Sequence, residues 1–203
     1  MEKKEFISNK QAISLIILFF LGEASTYIQG IVAGKDIWLS MLLALAAAIP
    51  FFIMFARLHV LFPGKNLFDI VEYCLGKIFG KIVVLLFVWF AFHAVSLLLE
   101  DMGFFINTVL YIETPRIITM VAFALISGYV VKQGLEVLGR WAEIWCIVPI
   151  ILLVLMFFLL LPKMDINNLL PIAYDGAKPI LQGAFLTFGF PLIYVICFLM
   201  VFS

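Results

Sequence analysis

Gly22-Glu23-Ala24-Ser25-Thr26 interrupts an apolar run that extends from about Gln11 to Val32. The run is long enough to cross a bilayer, which takes ~20 residues of helix. A carboxylate at its middle costs roughly 2.5–3.5 kcal/mol on insertion scales. Glu23 is therefore expected to face a bundle interior, a water-filled cavity or a partner. Gly22 weakens the helix beside it, and the Ser25 and Thr26 hydroxyls can satisfy freed backbone groups. The patch reads as a break in the first membrane helix, with the break lining a site. A protonated Glu23 bonded to a neighbouring helix, with no ligand, is the plainer alternative.

The rest of the chain has the same character. Hydrophobic residues make up 66% of it, charged residues 13%, and the mean hydropathy is +1.20. Soluble domains run at roughly 45–50% apolar. The apolar runs are long and continuous, not the ~10-residue alternating segments of a membrane β-barrel. The expected fold class is therefore all-α, a polytopic membrane helix bundle of about six spans. A formal net charge of zero gives no electrostatic footprint for nucleic acid. Cys74, Cys146 and Cys197 form an odd set without metal-ligand spacing, so reduced packing residues are expected. The first run is too long for a cleavable signal peptide and carries Glu23 within it. No Walker loop, nucleophile elbow or metal-spaced His/Cys cluster is present, so no catalytic residue, metal or cofactor is assigned and no enzyme is expected.

The spans fall at about 11–32, 37–61, 80–110, 116–132, 139–161 and 179–202, in a single membrane domain covering 1–203. Gly34-Lys35-Asp36 forms the first turn, with Asp36 as an N-cap for span two. Pro50 should kink span two. Between Pro63-Gly64 and span three, residues 66–76 read as an amphipathic surface helix capped by Asn66. Leu67, Phe68, Val71, Cys74 and Leu75 occupy one face, with Asp69, Glu72 and Lys77 on the other. Gly76 and Gly80 match a small-xxx-small packing motif. Glu136 and Arg140 are spaced for an i,i+4 pair. With the N-terminus inside, Lys3, Lys4, Lys10, Arg57, Lys65, Lys77, Lys81, Lys132 and Arg140 lie on the cytoplasmic side. Only Lys35, Arg116, Lys163 and Lys178 of the thirteen basic residues lie outside. That asymmetry sets the expected orientation.

Span six contains a second interruption, Gly189-Phe190-Pro191. Proline cannot donate to the helical ladder, and glycine costs helix stability. Spans one and six would run in opposite directions, which is the pattern of an inverted repeat. In such folds, half-helix ends and unwound backbone bind substrate near the bilayer midplane. Two unrelated kinks are the alternative. Span three carries His93, Ser96, Glu100, Gly103 and Asn107 at spacings that place them on one face. That face is expected to be either a cavity wall or an interhelical hydrogen-bonding seam.

Four ordered landmarks carry a family resemblance over nearly the whole chain. They are Gly34-Lys35-Asp36-Ile37-Trp38-Leu39-Ser40, then Phe62-Pro63-Gly64-Lys65-Asn66-Leu67 with Leu75-Gly76-Lys77. Gly134-Leu135-Glu136-Val137-Leu138-Gly139-Arg140-Trp141-Ala142-Glu143 and Asp165-Ile166-Asn167-Asn168-Leu169-Leu170-Pro171 complete the set. Together they resemble the B-type permease subunit of bacterial spore germinant receptors. The resemblance implies the amino acid–polyamine–organocation transporter fold and a role in sensing a small nutrient, often an amino acid, in the spore inner membrane. It also implies partnership with an A-type membrane subunit and a C-type lipoprotein. Family members run to about ten spans, so six would amount to one repeat and the first helix of the second. They commonly carry a Glu shortly after the span-six proline, where this chain has Leu192-Ile193-Tyr194. Three functions follow as expectations: a receptor subunit, a proton- or sodium-coupled amino-acid transporter, or an inactive truncated fragment of either. The expected substrate-binding residues are Gly22, Glu23, Ser25, Thr26, Gly189, Phe190, Pro191 and Tyr194. His93, Ser96 and Glu100 are expected to line a cavity.

Overall fold

The computed structural model describes residues 7–26 and 28–201, and among them every regular element is helical. The α-helices are α1 (Asn9–Thr26), α2 (Ile37–Leu61), α3 (Leu67–Val109), α4 (Arg116–Lys132), α5 (Leu135–Trp145), α6 (Ile147–Leu160), α7 (Ala177–Gly189) and α8 (Phe198–Val201). Short 3₁₀ segments cover Gln29–Asp36, Leu161–Lys163, Ile166–Leu169 and Leu192–Cys197. The apolar stretches Gln29–Leu61, Leu67–Val109, Leu135–Lys163 and Ala177–Met200 are long and apolar enough to cross a membrane. The helices α1 and α4 have 18 and 17 residues, the short end of the range that spans a hydrocarbon core. The fold is an all-α membrane bundle. Most large apolar side chains point outward, as lipid or further helices require.

Local sequence accounts for several boundaries. Asn66 Oδ1 accepts from Asp69 N at 2.9 Å, and Asn66 N donates to Asp69 Oδ2 at 3.2 Å, closing a capping box at the start of α3. Gly76 then turns the chain at φ 74°, ψ 172°, a conformation open essentially only to glycine. Residues 67–75 thus form a separate short arm, folded against the start of the long arm. A methyl group on Gly80 would lie 2.8 Å from Glu72 Cα, so the bare glycine permits that approach. Helix α2 continues through Pro50 without interruption. Gly34, at φ 55°, makes the first turn. Arg140 Nη2 meets Glu136 Oε2 at 3.3 Å on α5.

Asp36 departs from expectation. It precedes α2, but its side chain makes no cap hydrogen bond there. Its Oδ1 instead accepts from Ala173 N at 3.1 Å, in the loop before α7. A partner so far along the chain is a tertiary contact, which outweighs a local cap once the carboxylate is buried.

The tightest packing joins the Gln29–Asp36 segment, α2 and α7. Ala33, Ala44, Ala48, Ile180 and Ala184 are buried there, with Ser40 fully enclosed. Ser40 Oγ satisfies itself on Ile37 O at 2.8 Å. Gly183 is held close by neighbours that a methyl group would meet at 3.1–3.3 Å, namely Ser40 and Ala33. Small side chains let helix backbones approach closely where burial of apolar surface from water gives no driving force.

Candidate functional site

Both helices are interrupted: the second at Gly189-Phe190-Pro191 as expected, the first beyond the residues that signalled it. Gly22 and Glu23 lie within α1, which continues to Thr26 before Ile28 turns extended at φ −100°, ψ 95°. The chain therefore leaves the helix just beyond the small-residue patch. A single glycine costs a helix only ~1 kcal/mol, which the flanking apolar turns outweigh. In the second interruption, α7 stops at Gly189 and Phe190 is extended at φ −153°, ψ 125°. Pro191 then leads into the 3₁₀ turn Leu192–Cys197.

The two interrupted segments cross antiparallel. Phe19, before the first break, meets Phe198, after the second, with ring centroids 5.6 Å apart. Gly30, after the first break, sits against Thr187, before the second; a methyl group there would be 3.4 Å from Thr187 Oγ1. The breaks consequently lie side by side. Between them and α3 opens a cavity of about 360 Å³, lined by Gln29, Ala94, Leu97, Leu98, Asp101, Phe190 and Tyr194. That volume lies within the range of small-molecule sites. Tyr194 is wedged between Phe190 and Phe90, at 4.9 and 5.0 Å between centroids. Glu23 is buried, at 8% exposure, within electrostatic reach of both Asp101 and Tyr194.

The expected site residues distribute as follows. Phe190 and Tyr194 line this cavity, and Gly189 and Pro191 form the break beside it. Glu23 is not on its lining. Gly22 instead borders a second, apolar cleft of about 400 Å³ between α1 and α6, with Leu18, Leu21, Ala24, Pro149, Leu152, Leu153 and Met156. The side chains of Ser25 and Thr26 lie outside the described residues. His93, Ser96 and Glu100 are exposed on a neighbouring face of α3. His93 stacks on Trp89 at 5.9 Å, Ser96 Oγ donates to Phe92 O at 2.9 Å, and Glu100 pairs with Arg116 at 3.4 Å. Asn107, on the same stripe, ties down the α3–α4 turn. Its Nδ2 donates to Tyr111 O at 3.2 Å and to Thr114 O, and its Oδ1 accepts from Thr119 Oγ1 at 3.0 Å.

Gln29 and Asp101 are the polar lining residues that sequence reasoning did not assign to a site. Asp101 follows Glu100 directly, but one helical step of ~100° separates their faces. The cavity face of α3 is Ala94, Leu97, Leu98 and Asp101, spaced 3, 1 and 3 residues apart, and it is apolar except at its last member. A search for polar stripes passes over such a face. Gln29 is one polar residue inside an apolar run and carries no pattern of its own. Among the described residues, no cluster of His, Cys, Asp and Glu is placed to hold a metal ion.

Comparison with known proteins agrees with the resemblance. Spore germination protein KB of Bacillus subtilis (strain 168) is 29% identical, over 98% of this chain and 54% of the relative. Spore germination protein YndE of the same organism is 24% identical, over 87% of this chain and 50% of the relative. Spore germination protein A2 is 29% identical, over 64% of this chain and 36% of that protein. The chain thus spans about half the length of the first two curated relatives. No solved structure matches it. The family described as spore germination protein matches residues 6–203, and the chain, an α-helical membrane protein, belongs to that family.

Proposed function

We propose that the chain is the permease-like subunit of a spore germinant receptor and that it binds a small nutrient, such as an amino acid, between its two broken helices. The observation that carries this reading is the cavity held between the Ile28 and Phe190 breaks. Interrupted helices expose backbone donors and acceptors inside the protein, which is tolerated where they serve a ligand or a water-filled cavity. Nutrient binding would favour one of two arrangements of the broken segments, and that preference would pass to the partner subunits. An A-type membrane subunit and a C-type lipoprotein are the proposed partners. The proposed location is the spore inner membrane, with the N-terminus cytoplasmic.

The test is the germination dose response of spores carrying the chain. Glu23→Gln preserves shape and removes the ionisable carboxyl group near the cavity. Tyr194→Ala removes the aromatic wall. Both should raise the nutrient concentration for half-maximal response at unchanged receptor abundance. An unaltered dose response in both variants would place the ligand elsewhere. Concentrative uptake of a labelled amino acid by proteoliposomes would instead favour an ion-coupled transporter.

A further inference from the structure

The ionisable side chains lining the cavity are Asp101 and Tyr194; no Lys, Arg or His lines it among the described residues. Buried Glu23, off the lining, lies within electrostatic reach of both. The nearby basic groups are directed elsewhere. Arg116 donates to Glu100 O at 2.7 Å and reaches the Glu100 carboxylate at 3.4 Å, while His93 is exposed against Trp89. Helices α1 and α7 both end at the breaks, at Thr26 and Gly189. Their last carbonyls add partial negative charge at that level. The remaining lining, Ala94, Leu97, Leu98 and Phe190, is apolar and strengthens any electrostatic interaction inside.

We propose that Asp101 is the ammonium-binding residue of this cavity and makes it selective for amine-bearing solutes, with basic and neutral amino acids admitted and acidic ones refused. The inference rests on the binding reading above and adds the charge class of the ligand. Asp101 supplies an exposed carboxylate to the cavity lining, where an incoming ammonium can be met by a charge-assisted hydrogen bond. Gln29, with one donor and one acceptor group, suits the ligand's polar remainder, and the Phe190 and Tyr194 rings offer faces to a cation. An acidic side chain would be placed beside the Asp101 carboxylate with no basic residue on the described lining to offset it. Selectivity then arises from repulsion as much as attraction.

The experiment measures binding of L-lysine, L-alanine and L-glutamate to the whole chain in nanodiscs, by calorimetry or radioligand retention. The expected order is lysine tighter than alanine, with glutamate weakest. Asp101→Asn should weaken lysine by about tenfold or more, the scale of one charge-assisted contact, and narrow its margin over glutamate. Asp101→Glu should restore most of the preference, which a merely structural role for Asp101 would not do. Monodisperse elution of both variants checks that they fold. Glutamate binding as tightly as lysine, or Asp101→Asn leaving lysine's margin over glutamate unchanged, overturns the charge selection and leaves the cavity as a binding site. If none of the three probes binds, the binding reading fails and this inference fails with it.

Discussion

The Asp36 carboxylate holds the backbone N–H of Ala173 at 3.1 Å, joining the turn before α2 to the loop before α7. Asp36 is only 4% exposed, and Ala173 is held at φ 56°. The bond therefore fixes the segment that feeds α7, and with it the level at which the second break meets the first. We expect Asp36→Ala to destabilise the fold by about 1–3 kcal/mol, the range for losing a hydrogen bond to a buried charged group. Proteolysis between 163 and 176 should accelerate. Ala173→Gly should be neutral or mildly stabilising, because glycine occupies positive φ without a Cβ penalty. Ala173→Pro should match or exceed the loss at Asp36, since it removes the donor. Thermal unfolding in detergent measures all three, and an unperturbed Asp36→Ala protein would reduce this contact to an incidental one.

The seam of α2, α7 and the Gln29–Asp36 segment has no slack. A methyl group on Gly30 would stand 2.8 Å from Ser40 Oγ, and one on Gly183 would stand 3.1 Å from the same oxygen. Gly183→Val should therefore cost about 1–3 kcal/mol by overpacking. Gly22→Ala, where nothing lies within 4 Å, should be tolerated and should stabilise α1 by somewhat under ~1 kcal/mol through helix propensity. Melting temperatures of the two variants should move in opposite directions; a shared direction would contradict the seam.

What the sequence made legible were features written locally. The Asn66 cap, the Gly34 turn, the Glu136–Arg140 pair and the stop at Phe190-Pro191 each depend on residues within four positions of one another. What it left hidden depends on distant partners or on phase. Asp36 reads as a cap because nothing nearby announces Ala173. Glu100 outranks Asp101 in a stripe search, although only Asp101 reaches the cavity. The first break lies past the glycine that signals it, because neighbouring turns carry the helix through one weak residue.

Gly76 gives a test of the junction between the capped arm and the long helix. Its φ 74°, ψ 172° conformation is costly for any residue with a Cβ, by about 1–3 kcal/mol. Gly76→Ala should release the 67–75 arm from the helix that follows. Hydrogen exchange in residues 67–75 should rise, with little change in α7. Uniform protection in the variant would show that the arm is held by its side-chain contacts alone.

Orientation is open to chemical labelling. The excess of basic residues predicts a cytoplasmic Lys65 and an outward Asn168. The natural thiols must first be removed, Cys74 in particular because it is exposed. In that background, a membrane-impermeant maleimide added from outside should modify Asn168→Cys and spare Lys65→Cys. The reverse pattern would invert the chain in the membrane.

Tyr194 separates the ring from the hydroxyl at the cavity wall. Its ring touches both Phe190 and Phe90 at about 5 Å between centroids, so it bridges the second break to α3. An aromatic pair contributes about 0.5–1.5 kcal/mol beyond its buried area. Tyr194→Phe keeps both contacts and should leave the melting temperature nearly unchanged. Tyr194→Leu keeps much of the apolar bulk, loses both ring pairs and should lower stability by about 1–3 kcal/mol. If the hydroxyl also meets the ligand, Tyr194→Phe should weaken amino-acid binding with no change in melting, while Tyr194→Leu should change both. Equal stability of all three proteins would mean that the bridge between Phe190 and Phe90 contributes nothing, and that the break is held by the α2–α7 seam alone.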